Sequence, residues 1–410
     1  MSRPQIHRLA NGFTIAAETM GWVDTLAISL HVDCGARHED ARTNGLAHLF
    51  EHMVFKGAGG RNARQISEAV ENVGGYLNAF TSRDQTVFQA RLLSENLDLG
   101  VELIADLVRK PHFDREDLAR EKDVVLQELG EARDLPDDII NDHFHSTAWP
   151  GQAFGRPVLG DEASIAAITV DDFHSWTRLH YRPESVVLAA AGRIDFDRLV
   201  SLAEARFGDM KPAPRPVPEA AVYEGGRFVE RRRLESAHIL FGYEGVSYYH
   251  DDYYPLMLFS QAAGEGSSSR LFQAVREERG LAYSVSSAVA AWRDTGMLSV
   301  YLATARREAQ HATDLCRELL HQTAANFGAE ELARAKAQIR ATILMALESV
   351  QGRADRLGFQ MLAHGKSLDP AEIVARVEAC TLDQVRAVAT RVLAGRETLA
   401  TVGPALKAAA

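Results

Sequence analysis

The chain has 410 residues, 46% hydrophobic and 25% charged, an ordinary globular composition in a length that exceeds one typical core. Its formal net charge of −11 leaves no basic excess to neutralise phosphates, so no nucleic acid or anionic membrane is expected as partner. No run of about 18 apolar residues predicts a membrane span, and three scattered cysteines (Cys34, Cys316, Cys380) read as ordinary buried thiols of a reducing compartment, the cytoplasm, with the periplasm as alternative.

The opening Met1-Ser2-Arg3-Pro4-Gln5-Ile6-His7 carries no apolar leader core, and Asn11-Gly12 marks a hairpin turn. Residues 25–32 and 86–92, rich in β-branched and large apolar side chains, read as strands. Between them stands His48-Leu49-Phe50-Glu51-His52. On a helix, residues four apart share a face, so His48 and His52 can grip one metal ion, with Glu51 at the edge of that face. An ion held by two imidazoles needs a third ligand and an open position for water, which a nearby free carboxylate can deprotonate. The competing reading is an amphipathic helix in which Leu46, Leu49, Phe50 and Met53 fill a core beside incidental histidines. A third ligand decides between the two.

Gly74-Gly75 reads as a turn before a strand, and residues 95–108 and 114–133 as amphipathic helices, the second capped by Asp114. That helix sets Glu121, Glu128 and Glu131 on one side, together with Val125 and Ala132. Carboxylates among buried apolar side chains require a cation or strong hydrogen bonds, which a metal would supply.

Thr169-Val170-Asp171 opens a helix leading to a strand over 186–192, and four prolines between Pro212 and Pro218 make an extended linker. The expected division is a domain over 1–211, a linker over 212–225 and a second domain over 226–410. Halves of similar length suggest a duplication. Phe113-Asp114-Arg115-Glu116 and Phe327-Gly328-Ala329-Glu330 open matching long helices (327 − 113 = 214), and Thr381-Leu382-Asp383 matches Thr169-Val170-Asp171 (381 − 169 = 212). The 214-residue offset places Ala335, Thr342 and Met345 opposite Glu121, Glu128 and Glu131, and the second half has no His-x-x-Glu-His. Coupled loss of this kind is what a single metal site in the first half produces. Gly264-Glu265-Gly266-Ser267-Ser268-Ser269-Arg270 lacks the Gly-Lys-Ser/Thr ending of a phosphate loop and reads as a flexible wall. His31, Cys34 and the pair His143 and His145 have no partner spacing for a second metal.

Taken together, these motifs resemble the pitrilysin (inverzincin) metallopeptidases, in the branch of bacterial relatives of mitochondrial processing peptidase, along essentially the whole chain. The resemblance implies an α+β fold of two homologous domains, each a mostly antiparallel sheet packed with helices, in a clamshell. It implies one Zn2+ per chain on His48, His52 and Glu128, with Glu51 as general base and Glu121 supporting the ligands. Glu131 is the alternative ligand. Asn78 and Ala79, in Gly74-Gly75-Tyr76-Leu77-Asn78-Ala79-Phe80-Thr81, match an edge strand that pairs with substrate backbone. Arg276 and Tyr283, in Arg276-Glu277-Glu278-Arg279-Gly280-Leu281-Ala282-Tyr283, match a pair that reaches substrate main chain and oxyanion. The expected function is a zinc endopeptidase acting on peptides or small unfolded polypeptides in a closed chamber. A homodimer is the expected assembly, with a heterodimer containing a metal-less homologue next. A non-catalytic or partner-dependent subunit is the alternative function.

Overall fold

The computed structural model describes residues 3–404. The Asn11-Gly12 turn forms as expected: Gly12 takes φ +97°, its N–H donates to the Leu9 carbonyl at 2.9 Å, and β1 (Gln5–Arg8) folds back on β2 (Thr14–Thr19). The chain continues through β3 (Thr25–Val32), a short hairpin of β4 (Gly57–Ala58) and β5 (Arg61–Asn62), then β6 (Tyr76–Thr81), β7 (Thr86–Leu93) and β8 (Val186–Gly192). Six of these make one sheet in the order β1-β2-β8-β3-β7-β6, with β2 and β8 parallel and the other neighbours antiparallel.

Strands β2 and β8 are apolar on both faces because both faces are covered. Ile15, Ala17, Leu188 and Ala190 enter the main core, while Ala16, Val187 and Ala189 meet Leu357 and Met361 of the helix Val350–His364. The main core also takes Val101, Ile104 and Ala105 from the helix Leu97–Arg109, which a tight turn over Ser94–Asn96 precedes.

A second sheet contains β9 (Gly226–Arg231), β10 (Ser236–Glu244), β11 (Ala282–Ala291), β12 (Gly296–Ala305) and β13 (Glu397–Gly403), in the order β11-β12-β10-β13-β9. Its one parallel pair is β13 with β9. This repeats the order β6-β7-β3-β8-β2 of the first sheet, parallel pair included. The duplication extends to single bonds: Lys122 Nζ donates to the Ala166 carbonyl at 2.8 Å, and Lys336 Nζ, 214 residues on, to the Glu378 carbonyl at 2.6 Å.

The chain forms two compact units that differ from a single cut at the linker. One unit holds the residues up to Leu129, Arg156–Glu219 and Met345–Leu368; the other holds Gly130–Gly155, Ala220–Leu344 and the residues from Asp369. The helices Pro136–Ala148 and Val350–His364, themselves 214 residues apart, each pack on the sheet built by the other half of the sequence. The reason lies in their partners. In the first unit, buried Glu18 pairs with Arg353 at 2.8 Å and with Arg356, and Asp355 Oδ1 accepts from Ser29 Oγ at 2.7 Å and Gln89 Nε2 at 2.8 Å. Gly358 lies so close to β3 that a Cβ on it would come within 2.1 Å of His31 Cδ2. In the second unit the contact is apolar, with Ile140, Phe144 and Ala148 clustered with Leu240, Ala400 and Val402. A helix follows its buried surface, whatever its place in the chain.

Candidate metal centre

The helix Leu46–Val54 buries Leu46, Leu49, Phe50 and Met53, so the apolar stripe is a core stripe and the polar edge carries His48, Glu51 and His52. Gly45 precedes it at φ +91°, where a Cβ would come within 2.7 Å of the Leu159 carbonyl oxygen. The long helix Arg115–Asp134 starts with the Asp114 carboxylate accepting the N–H groups of Glu116 at 2.7 Å and Asp117 at 3.2 Å. Leu118, Val125 and Leu129 anchor it to the core, and that rotation leaves Glu121 and Glu128 on the side of the motif helix.

His48, His52 and Glu128 each offer one ligand atom within 4.8 Å of the others, the single such group among the described residues. Glu128 Oε2 lies 3.5 Å from His52 Nε2 and 3.8 Å from His48 Nε2. Glu131 is exposed and takes no part. Glu121, only 5% exposed, has Oε2 3.2 Å from His52 Nδ1 and Oε1 2.8 Å from Lys56 Nζ. A His52 ring that donates its Nδ1–H to Glu121 has only a lone pair at Nε2, facing a carboxylate oxygen. Two acceptors facing each other across 3.5 Å repel unless a cation lies between them. Burial, with His52 alongside, holds the His48 pKa down to about 4, so the His48 ring is neutral at pH 7 and has a lone pair to offer. Two imidazole nitrogens, one carboxylate and a side open to solvent through Glu128 suit zinc.

Glu51 stands beside this group. Burial pushes its carboxyl above the usual carboxylate range, with Glu128 adding to the effect, although Thr81 Oγ1 donates to Glu51 Oε2 at 2.6 Å. Thr81 closes β6, an edge strand whose Tyr76, Asn78 and Phe80 are exposed while Ala79 is buried. Asn78 Nδ2 donates to Tyr76 Oη at 2.8 Å.

Glu39 and Lys56 were absent from the sequence expectations. Buried Glu39 accepts from the N–H groups of Ala47 at 2.7 Å and Gly45 at 2.8 Å and from Asn44 Nδ2 at 2.9 Å, so its carboxylate caps the motif helix. Burial nevertheless pushes its pKa up to about 7. Lys56 follows His52 by one helical turn, a spacing that could have suggested it. Glu39 gives no such signal, since its bonds arise from a loop folding back on itself.

Arg276 and Tyr283 belong to the other unit. Arg276 lies in the wide turn Phe272–Glu277, its guanidinium carbon 4.7 Å from the Phe272 ring centre and 5.4 Å from that of Tyr283. Tyr283, 81% exposed, stands at the start of edge strand β11.

Residues 15–162 match the insulinase model of peptidase family M16, and residues 167–339 match the model of the M16 inactive domain. A curated relative from Rickettsia felis, named an uncharacterized zinc protease, is 34% identical over 400 residues, 97% of each chain. The chain belongs to peptidase family M16. Within M16, it is 32% identical to the uncharacterized zinc protease YmxG of Bacillus subtilis, over 96% of this chain and 97% of that one. It is 31% identical to the mitochondrial-processing peptidase subunit beta of Saccharomyces cerevisiae, over 92% and 86%. The fold matches a solved protease from Helicobacter pylori with a TM-score of 0.91 at 20% identity, covering 98% of this chain and 99% of that one. A structure described as the peptidase M16 inactive domain from Pseudomonas fluorescens matches equally well, at 0.91 and 20% over 98% of both chains. Both M16 models and both structures agree with the α+β, two-sheet architecture. Among the described residues no helix is long and apolar enough to cross a membrane.

Proposed function

We propose that this M16 chain is a zinc-dependent endopeptidase that hydrolyses peptides or small unfolded polypeptides with Glu51 as general base. The observation that carries this is the meeting of His48, His52 and Glu128 beside a half-buried Glu51 that makes no salt bridge with Lys or Arg among the described residues. A zinc ion held by these three residues supplies Lewis acidity to the scissile carbonyl and makes water easier to deprotonate. Glu121 accepts a hydrogen bond from the Nδ1–H of His52 and so presents Nε2 as the ligand atom. Thr81 pins Glu51 Oε2 and leaves Oε1 to accept a proton from the attacking water. Glu51 then passes that proton to the leaving amine.

Substrate lies along the free edge of β6, beside Asn78 and Ala79, by main-chain hydrogen bonds. Arg276 and Tyr283 serve the substrate main chain and the developing oxyanion, and they do so over the ligands of a second copy in a homodimer. The three free, buried cysteines support a reducing compartment, the cytoplasm. Purified chain should cleave an internally quenched peptide, lose that activity to a chelator and regain it with zinc. Cleavage indifferent to the chelator refutes the proposal. The likeness to a protein named as a processing-peptidase subunit supports a second reading, a partner-dependent subunit. A particle near twice 45.1 kDa that is active alone rejects it; activity only after a second polypeptide is added establishes it.

A further inference from the structure

The second sheet gathers arginines at one end. Arg231 ends β9, Arg232 and Arg233 follow, and Arg306 and Arg307 follow β12. Arg231 and Arg233 are two residues apart in extended chain, so they leave the backbone on the same side, and both are exposed. Arg232 between them is already engaged: its Nε donates to Glu230 at 2.7 Å and its guanidinium reaches the Arg133 carbonyl. Arg231, Arg233 and Arg306 make no ion pair among the described residues, and with the paired Arg232, Leu234 and Pro404 they line one hollow of 310 Å³. Three unpaired guanidinium groups around one hollow repel each other until an anion arrives. In a chain of net charge −11 this surplus runs against the overall balance.

A second hollow, of 260 Å³, adjoins it and is lined by Arg279, Tyr283, Arg307, Glu308 and Ser236. The two share strand ends: Leu234 lines the first and Ser236 the second, and Arg306 lines the first and Ala305 the second. In the second hollow Arg279 pairs with Glu278 at 3.1 Å and Arg307 with Glu308 at 3.0 Å, so the uncompensated charge belongs to the first. Arg306 directly follows Ala305, and Arg233 stands three residues before Ser236, so the free arginines are close in the chain to the hollow that Tyr283 lines.

We infer that Arg231, Arg233 and Arg306 form a subsite for acidic residues of the peptide substrate, on the part of the substrate that extends past Tyr283. This rests on the peptidase proposal. Guanidinium forks bind carboxylates in bidentate fashion, and Leu234 and Pro404 in the same hollow take the intervening apolar stem. A long polyanion fits less well, because the whole-molecule field repels it while a short acidic stretch feels the local charge.

The test uses the full zinc-loaded chain and two quenched peptides that differ only in a block of three Asp/Glu residues replaced by Asn/Gln. At low salt the acidic peptide should have a KM about tenfold lower, and the gap should close as salt rises toward 0.5 M. The triple variant R231Q/R233Q/R306Q should raise KM for the acidic peptide to that of the neutral one and leave the kinetics of the neutral peptide unchanged. Equal KM values in the wild-type protein, or a preference that survives the triple substitution, overturn the inference. Fluorescence anisotropy of a labelled acidic peptide on metal-free protein reads the subsite without turnover. If neither peptide is cleaved, the peptidase proposal fails, while salt-sensitive binding abolished by the triple variant still upholds the subsite. Binding of inorganic triphosphate without binding of the acidic peptide assigns the arginines to a free anion and overturns it.

Discussion

Replacing Glu121 tests the proposed metal centre through a residue that is not among its ligands. Glu121 meets His52 Nδ1 at 3.2 Å with one oxygen and Lys56 Nζ at 2.8 Å with the other. In Glu121→Gln the side-chain volume is kept, and Oε1 can still accept from His52. The amide nitrogen then faces the Lys56 ammonium, a donor against a donor, so one of the two contacts is lost. Lys56 is 35% exposed at its side chain and regains water; His52, at 18%, regains less. Partners of a ligating histidine are worth about 10- to 100-fold in metal affinity, or about 1.4–2.8 kcal/mol. Glu121→Gln belongs at the lower end of that range, and Glu121→Ala, which leaves Nδ1 unpaired beside a void, at the upper end. Competition with a chromophoric zinc chelator measures the affinity. Thermal unfolding with and without zinc gives a second readout, since a ligand bound only by the native state raises the midpoint in proportion to its affinity. If both variants bind zinc within about twofold of wild type, while their metal-free stability falls, Glu121 acts on the fold alone and its proposed role is wrong.

Glu51→Gln should keep zinc and lose about 10²–10⁴ in kcat; near-wild-type turnover in a peptide assay removes Glu51 as the base. Glu128→Gln should lose zinc in metal analysis while Glu131→Gln retains it, and the reverse order transfers the ligand role to Glu131. Gly358→Ala should destabilise by about 1–3 kcal/mol in denaturant unfolding, because the new methyl collides first with the buried His31 ring; unchanged stability denies the close packing of the exchanged helix. Glu39 has its pKa raised from 4.5 to about 7, so the folded state holds its proton more tightly than the unfolded chain, and stability falls as pH rises across that window. Against Glu39→Gln, wild type should lose about 3 kcal/mol between the two pH limits, and parallel stability–pH curves refute this.

How much of this was legible in the sequence depends on the range of the interaction. The hairpin at Gly12, the cap at Asp114 and the apolar stripe through Leu46, Leu49, Phe50 and Met53 are local, and each stands where periodicity and turn chemistry put it. The His48–His52 pairing follows from helix geometry, but periodicity set Glu128 and Glu131 on one side alike; only the family resemblance preferred Glu128, and it is Glu128 that meets the two imidazoles in the structure. The exchange of the helices Pro136–Ala148 and Val350–His364 was invisible. Both are ordinary amphipathic segments, and nothing local says which sheet their buried faces will find. Glu18, the partner of Arg353 and Arg356, lies more than 330 residues away from them. Glu39 was missed for a related reason: a lone acid in a loop looks solvated until the loop closes over it.

The duplication separates what the fold needs from what the chemistry needs. The helices Arg115–Asp134 and Ala329–Ala346 occupy the same place in their two units and share their anchors: Leu118 and Leu332 are buried, and Lys122 and Lys336 donate to equivalent carbonyls. At the position of buried Glu121 the second helix has buried Ala335, and at that of Glu128 it has Thr342. The architecture therefore stands without either acid. Burying a carboxylate such as Glu121 costs free energy that an alanine avoids, so its presence in one copy and absence in the other is not explained by packing. What distinguishes the first copy is the pair of imidazoles opposite, and Glu121 and Glu128 are the residues that face them.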